Sequence, residues 1–271
     1  MLRVIQDDLP TDINRIELMR FLITNDDGIL AHGMECLIEA AEPLGDVYVV
    51  APDREQSATS HALTLHHPLR PVRRAERRWQ IDGTPTDCVM IAVEALLDER
   101  PDFILSGINH GQNMGEDVLY SGTVAAAMEG LALGIPSIAF SFAGGDLRAD
   151  LTHLKEQVSV LTPLIAHLTS LPSFPAHTLL NVNLPPLPAD GVKGIRLTRL
   201  GSRVYSGSLK PMRDPWDRDI FWIGGGSITW SGEPDSDFRA IQEGFISITP
   251  LHLDLTNYSM LESAGTWWRE L

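Results

Sequence analysis

Apolar and polar positions alternate along the first 190 residues in the rhythm of a strand-and-helix repeat. Residues 20–24 (Arg-Phe-Leu-Ile-Thr) form a short apolar run that halts at Asn25-Asp26-Asp27-Gly28, which predicts a buried strand of a parallel sheet. Met34, Leu37, Ile38 and Ala41 then recur at helical spacing, marking one face of an amphipathic helix that Gly45 stops. Val47–Ala51 reads as a second buried strand. From Pro52 to about Trp79 the chain is polar and irregular, and its arginine-rich part, Arg70–Arg78, reads as a solvated loop face. Thr84 as N-cap, Pro85 at N1 and Asp87 at N3 open the next helix with a capping box. Val89, Met90, Val93 and Leu97 form its buried stripe.

Phe103–Leu105 predicts a third strand, ending at Ser106-Gly107-Ile108-Asn109. Residues 123–133 are strongly helical and are closed by Gly134 and Pro136. Ser137–Phe142 is a fourth strand, about Leu151 to Leu168 a helix bent by Pro163, and His177–Asn183 a further strand. This order predicts an α/β fold: a mostly parallel sheet with helices on both faces. Beyond Pro188 short apolar segments (195–200, 221–223, 228–230, 245–248) separated by glycine and proline predict hairpins and arms. The expected division is an N-terminal extension over 1–18, a core over 19–190, and C-terminal hairpins and arm over 191–271.

Composition narrows the function. With 44% hydrophobic residues and a mean hydropathy of -0.02, the 271-residue chain can bury a sizeable core. A formal charge of -15 argues against a nucleic-acid polymer or an anionic membrane as partner. It leaves room for a small phosphorylated ligand beside a bound cation. No stretch approaches the roughly 20 apolar residues that cross a bilayer, and residues 1–18 lack the apolar core of a signal peptide. The two cysteines, Cys36 and Cys88, fall on predicted helices without CxxC spacing, as expected of buried thiols in a reducing cytoplasm. Lysine occurs only at 155, 193 and 210, so no Gly-Lys-Ser/Thr P-loop exists. No GxGxxG follows the first strand either.

The candidate chemistry gathers at strand ends. The first offers Asn25, Asp26 and Asp27; the second Asp53, Arg54 and then Ser57; the third Asn109 and Asn113. In a parallel sheet these converge on one edge, where open α/β sheets bind ligands. Two adjacent carboxylates repel unless a cation lies between them, the alternative being an Asx-type turn with solvated acids. Carboxylate, hydroxyl and amide oxygens favour Mg²⁺, Mn²⁺ or Ca²⁺ over zinc. Ser121-Gly122-Thr123 precedes a predicted helix and suits an anion at its N-terminus, or simple capping by Ser121. A phosphate site facing a Lewis acid points to phosphoester hydrolysis. Asp26 or Asp27 would take the proton of the attacking water, or one would attack directly; sequence leaves both open. His32, His61, His66, His67 and His110 lie near these loops without distinction.

Taken together, the strings Leu22-Ile23-Thr24-Asn25-Asp26-Asp27-Gly28, Ala51-Pro52-Asp53-Arg54-Glu55-Gln56-Ser57, Gly83-Thr84-Pro85-Thr86-Asp87, Ser106-Gly107-Ile108-Asn109 and Tyr120-Ser121-Gly122-Thr123 resemble the SurE family of survival-protein nucleotidases. Asn181-Val182-Asn183, Asp237-Phe238 and Ser247-Ile248-Thr249-Pro250 extend the resemblance to about Leu255. It implies a Rossmann-like three-layer core with a C-terminal β-hairpin arm that is exchanged in a homodimer or homotetramer. It also implies a metal-dependent 5′-nucleotidase acting on nucleoside monophosphates, with 3′-nucleotidase and exopolyphosphatase activities as further options. By motif position Asp26, Asp27, Ser57 and Asn109 would ligate one Mg²⁺ or Mn²⁺ per subunit. Asn113, Ser121, Gly122 and Thr123 would hold the phosphate. Two rivals stand beside this reading. An aspartyl-phosphate phosphatase needs Asp-x-Asp and a downstream lysine, which the adjacent acids do not match; the other rival is a non-enzymatic sensor of metal and nucleotide.

Overall fold

The first strand buries both of its faces, and the layers follow from that. In the computed structural model Phe21 and Ile23 pack with Met34, Leu37 and Ile165 on one side, while Leu22 packs with Val89, Ile104 and Ala126 on the other. The structure describes residues 19–145, 147–171, 174, 177–206, 209–223 and 227–264. The expected extension over 1–18 and the chain end from 265 lie outside them.

In chain order the elements are β1 (Met19–Thr24), α1 (His32–Ala41), β2 (Gly45–Pro52), β3 (Pro71–Ala75), β4 (Arg78–Ile81), α2 (Pro85–Ile91), β5 (Phe103–His110), α3 (Gly122–Ala132), β6 (Ser137–Phe142) and α4 (Leu147–Thr169). They continue with β7 (Thr178–Leu184), β8 (Ile195–Leu197), β9 (Ser202–Ser206), β10 (Leu209–Arg213), β11 (Asp219–Ile223), β12 (Ser227–Ser231), α5 (Asp237–Gln242), β13 (Ile246–His252) and α6 (Tyr258–Ala264). Nine strands form one sheet in the order β3-β4-β2-β1-β5-β6-β7-β13-β8. The run from β4 to β7 is parallel throughout, with β3 and β13 antiparallel to their inner neighbours. α1 and α4 cover one face, α2 and α3 the other. The three-layer α/β architecture is thus as expected. The order turns about β1, with β2 on one side and β5 on the other, so the ends of β1 and β5 flank the switch-point crevice.

Local signals act as the sequence predicts at α2, where the Thr84–Asp87 capping box forms in both directions. α4 runs as one helix through Pro163 and begins a turn earlier than expected. Two differences are larger. Arg70–Arg78, read as loop, contains β3 and most of the turn into β4. β3 is the edge strand and all five of its residues are exposed, so it carries no apolar alternation to reveal it. Its contacts are polar instead: Arg74 Nε donates to Gln80 Oε1 at 2.7 Å, and the Arg73 guanidinium lies 5.7 Å from the Trp79 ring centre. The sheet also continues beyond residue 190, because β13 returns beside β7 with Ser247 opposite Asn183, and β8 pairs with β13.

Beyond the β13–β7 pairing, a buried carboxylate helps latch the C-terminal segment to the core. Asp237 is fully buried. Its Oδ2 accepts the Gly115 N–H at 2.9 Å, and its Oδ1 accepts those of Gly201 (2.9 Å) and Phe238 (2.7 Å). Burial pushes this carboxyl above its ordinary value, against the pull of those three donors. Asp237→Ala strands buried N–H groups and is expected to lower stability by about 2–5 kcal/mol in urea denaturation. A change within about 0.5 kcal/mol, the usual range for a surface site, would show the latch to be dispensable.

Candidate active site

At the end of β1 the chain leaves the strand in a tight turn. Asn25 closes it with its own side chain, Nδ2 donating to the Gly28 carbonyl (3.0 Å) and Oδ1 accepting the Gly28 N–H (3.2 Å). Gly28 has φ +94°, and a Cβ there would also press on the Arg54 backbone at 3.1 Å, so glycine is required on both counts. This turn displays Asp26 and Asp27, which would otherwise point to opposite faces of a strand.

Asp26 is buried. Its Oδ1 accepts the Thr123 hydroxyl and its Oδ2 accepts the Thr123 N–H at 3.1 Å, both from the first turn of α3. Gly122 lets the helix come this close: a Cβ there would lie 2.8 Å from the Asp26 Cβ. Asp27 is partly buried and uses Oδ2 to accept the His110 N–H at 3.0 Å. Burial raises the Asp26 carboxyl above its ordinary range, with the Thr123 bonds opposing the rise. Asp27 is pushed up to about 6, first by burial and then by the neighbouring Asp26 charge, while the His110 N–H pulls it down. Each of these acids is uncomfortable as an anion without a compensating cation.

The strand ends are stitched together around this pair. Gln56 N–H donates to the Asp26 carbonyl at 2.7 Å, drawing in the loop after β2, and Ser60 N–H donates to the Tyr120 carbonyl at 3.2 Å. Ser57 lies exposed on that loop, its hydroxyl donating to Glu55 Oε1 at 2.7 Å, and Glu55 is close enough to raise Asp27 further. Asn109 donates through Nδ2 to the Gly111 carbonyl at 2.8 Å, which leaves Oδ1 as its donor atom to a cation. Among the described residues no third His, Cys, Asp or Glu joins these acids in a metal-sized cluster. Any further ligands near them must be neutral oxygens such as those of Ser57 and Asn109. That donor set fits a hard divalent ion.

Asn113 is buried, and its surroundings were not foreseen from sequence. Its N–H donates to Asn183 Oδ1 (2.9 Å) and its Nδ2 to Ser141 Oγ (2.8 Å). Its carbonyl accepts from Asn181 Nδ2 (2.8 Å) and Asn183 Nδ2 (3.0 Å). Two buried asparagines at alternate positions of β7 are the signal that could have found this network. Ser121 caps α3, accepting the Val124 N–H at 3.1 Å, and keeps its own hydroxyl proton to donate. Thr123 stands where the anion pocket was expected, yet both of its donors point to Asp26. His61 pairs with Glu129 at 2.8 Å, and Cys36 and Cys88 are free and buried. Among the described residues no helix is long and apolar enough to cross a membrane.

Comparison with known proteins bears on this arrangement. Residues 21–207 match the family model described as Survival protein SurE. The chain is 70% identical over 252 residues to the "5′-nucleotidase SurE" of Gemmatimonas aurantiaca, a match that covers 93% of this chain and 100% of that protein. It is 46% identical over 253 residues to the "5′-nucleotidase SurE" of Vibrio cholerae, covering 93% of this chain and 98% of that one. Among solved structures, the SurE protein from Aquifex aeolicus superposes with a TM-score of 0.80 at 40% identity, covering 92% of this chain and 99% of that one. With its polar strand ends gathered at the same sheet edge and most of its length matched, the chain belongs to the SurE family.

Proposed function

We propose that the chain is a 5′-nucleotidase that hydrolyses nucleoside monophosphates to nucleoside and phosphate. It would hold one Mg²⁺ or Mn²⁺ through Asp26, Asp27, Ser57 and Asn109. The observation that carries the reading is the Asp26–Asp27 pair, two carboxylates raised by burial and held by N–H groups from β5 and α3. When bound, the ion would neutralise the acids and withdraw charge from the phosphoryl group.

The residues divide the remaining work. Thr123 fixes the Asp26 carboxylate through its hydroxyl and N–H, so Thr123 orients an acid and leaves the phosphate to others. Ser121 and Gly122, at the N-terminus of the eleven-residue α3, present a hydroxyl and backbone dipole to the phosphoryl oxygens. Asn113, clamped by Asn181 and Asn183, keeps the chain between Asn109 and Ser121 in place. Among the described residues Asp27 engages Oδ2 alone, with the His110 N–H, so it is the acid placed to take a proton. Water adds to phosphorus as its proton passes to Asp27, the P–O bond to the nucleoside breaks, and the departing oxygen takes up a proton from solvent to leave as the nucleoside hydroxyl.

A second copy of this chain is the proposed partner, giving a homodimer or homotetramer. The β10–β11 hairpin supports this: all ten of its strand residues are exposed, including Phe221 at 62% and Trp222 at 65%. A lone two-stranded hairpin is marginally stable in water, and apolar exposure of this kind marks a protein interface. Free buried thiols accord with a reducing compartment such as the cytoplasm.

Three outcomes are expected. Phosphate release from AMP with Mn²⁺ is expected to fall at least about a thousandfold in Asp27→Asn and in excess EDTA, with the circular dichroism of the variant unchanged. Full activity in either would contradict the assignment. Without metal, Asp27 titrates near 6 in the folded chain against 3.8 unfolded. The folded state therefore binds more protons between those values, and stability falls as pH rises through them. Urea titrations at pH 4 and pH 7 should show a shallower fall in Asp27→Asn than in the parent; equal slopes would refute the shift. Light scattering should give a smaller assembly for Phe221→Glu/Trp222→Glu than for the parent, whereas an unchanged mass would exclude the hairpin from the interface.

A further inference from the structure

A cavity of about 700 Å³ opens between the chain that follows β5 and the C-terminal segment. Its near wall is Gln112 and Met114, which flank Asn113. Asn109 precedes Gln112 by three residues, so their Cα atoms are at most roughly 11 Å apart even if the chain were fully extended. The far wall is Trp230 of β12, Phe238, Arg239 and Gln242 of α5. We propose that this cavity receives the nucleoside half of the substrate, base and sugar together, while the phosphate lies at the β1 and α3 termini. The proposal rests on the nucleotidase reading above and extends it to recognition.

Four features support it. Trp230 and Phe238 are stacked, ring centres 5.7 Å apart and planes inclined by 19°, a rigid apolar face for a planar ring. That face is fixed from behind, since Asp237 binds both Gly115 and Gly201, and the Arg203 guanidinium sits 5.4 Å from the Trp230 ring centre. Arg239 Nη1 donates to Gln242 Oε1 at 3.2 Å, leaving the Gln242 amide N–H groups and the remaining guanidinium donors for a base edge or a hydroxyl. The Gln112 amide, both donor and acceptor, can pair with several base edges.

Size and charge agree. The volume lies within the usual range for small-molecule sites. Among the described residues that line it, Arg239 alone is charged, in a chain of net charge -15. One cation admits a nucleotide without repulsion, but a polyphosphate chain would call for several.

The test compares AMP with glycerol phosphate, which carries the same phosphomonoester but no nucleoside. Arg239→Ala, Gln242→Ala and the cavity-filling Ser231→Trp are the variants. Each is expected to lower the ratio of kcat/KM for AMP to that for glycerol phosphate by about tenfold or more. A ratio equal to the parent's in all three overturns the proposal. Binding of adenosine alone, measured by calorimetry on the full-length protein, separates the two readings. Adenosine is expected to bind the parent and Asp27→Asn alike and to bind Ser231→Trp at least about tenfold more weakly. Loss of AMP hydrolysis in the parent with adenosine binding intact would sink the nucleotidase reading alone. Equal adenosine affinity in Ser231→Trp would sink the cavity assignment alone.

Discussion

Two carboxylates side by side at the end of a buried strand set the terms for the whole active edge. Like charges about 4 Å apart repel by about 4 kcal/mol at the screening typical of a protein surface, and more where water is excluded. The fold fastens Asp26 to α3 through Thr123 and Asp27 to β5 through His110. Hydrogen bonds of this kind favour the charged form only in part, because burial raises both acids despite them. A pair held in place and under-compensated is what the proposed dication would neutralise.

The remainder of the molecule keeps that pair still. Parallel pairing of β1 with β2 and β5 puts three chain exits along one edge. Helices on both faces bury the strands that feed it. The segment from Asn109 to Ser121, which has no long element of its own, is held from two other directions. Asn181 and Asn183 of β7 grip Asn113, and Asp237 grips Gly115. The residues after 190 are therefore part of the site's support.

Much of this was legible in the chain. The apolar run ending in Asn25-Asp26-Asp27-Gly28 announced β1 and its acids, because a strand buried on both faces has no polar alternation to obscure it. The Thr84–Asp87 box and the Ser121 cap were local signals, and they formed locally. What escaped was long-range or lacked an apolar signature. β3 is an edge strand written in arginine. Thr123 was read as an anion ligand because its neighbours look like an anion pocket. Its approach to Asp26, across 97 residues, depends on how closely α3 packs at Gly122. Asp237 reaches Gly115 across 122 residues, a contact that no local pattern encodes.

The central claim is that the strand ends of β1, β2 and β5 share one dication. Titration of the full-length protein with Mn²⁺, following the free ion by electron paramagnetic resonance, tests it most directly. The account expects one tight site per chain and an affinity at least about a hundredfold weaker in Asp26→Asn. Undiminished Mn²⁺ binding in that variant, or none in the parent, would contradict it.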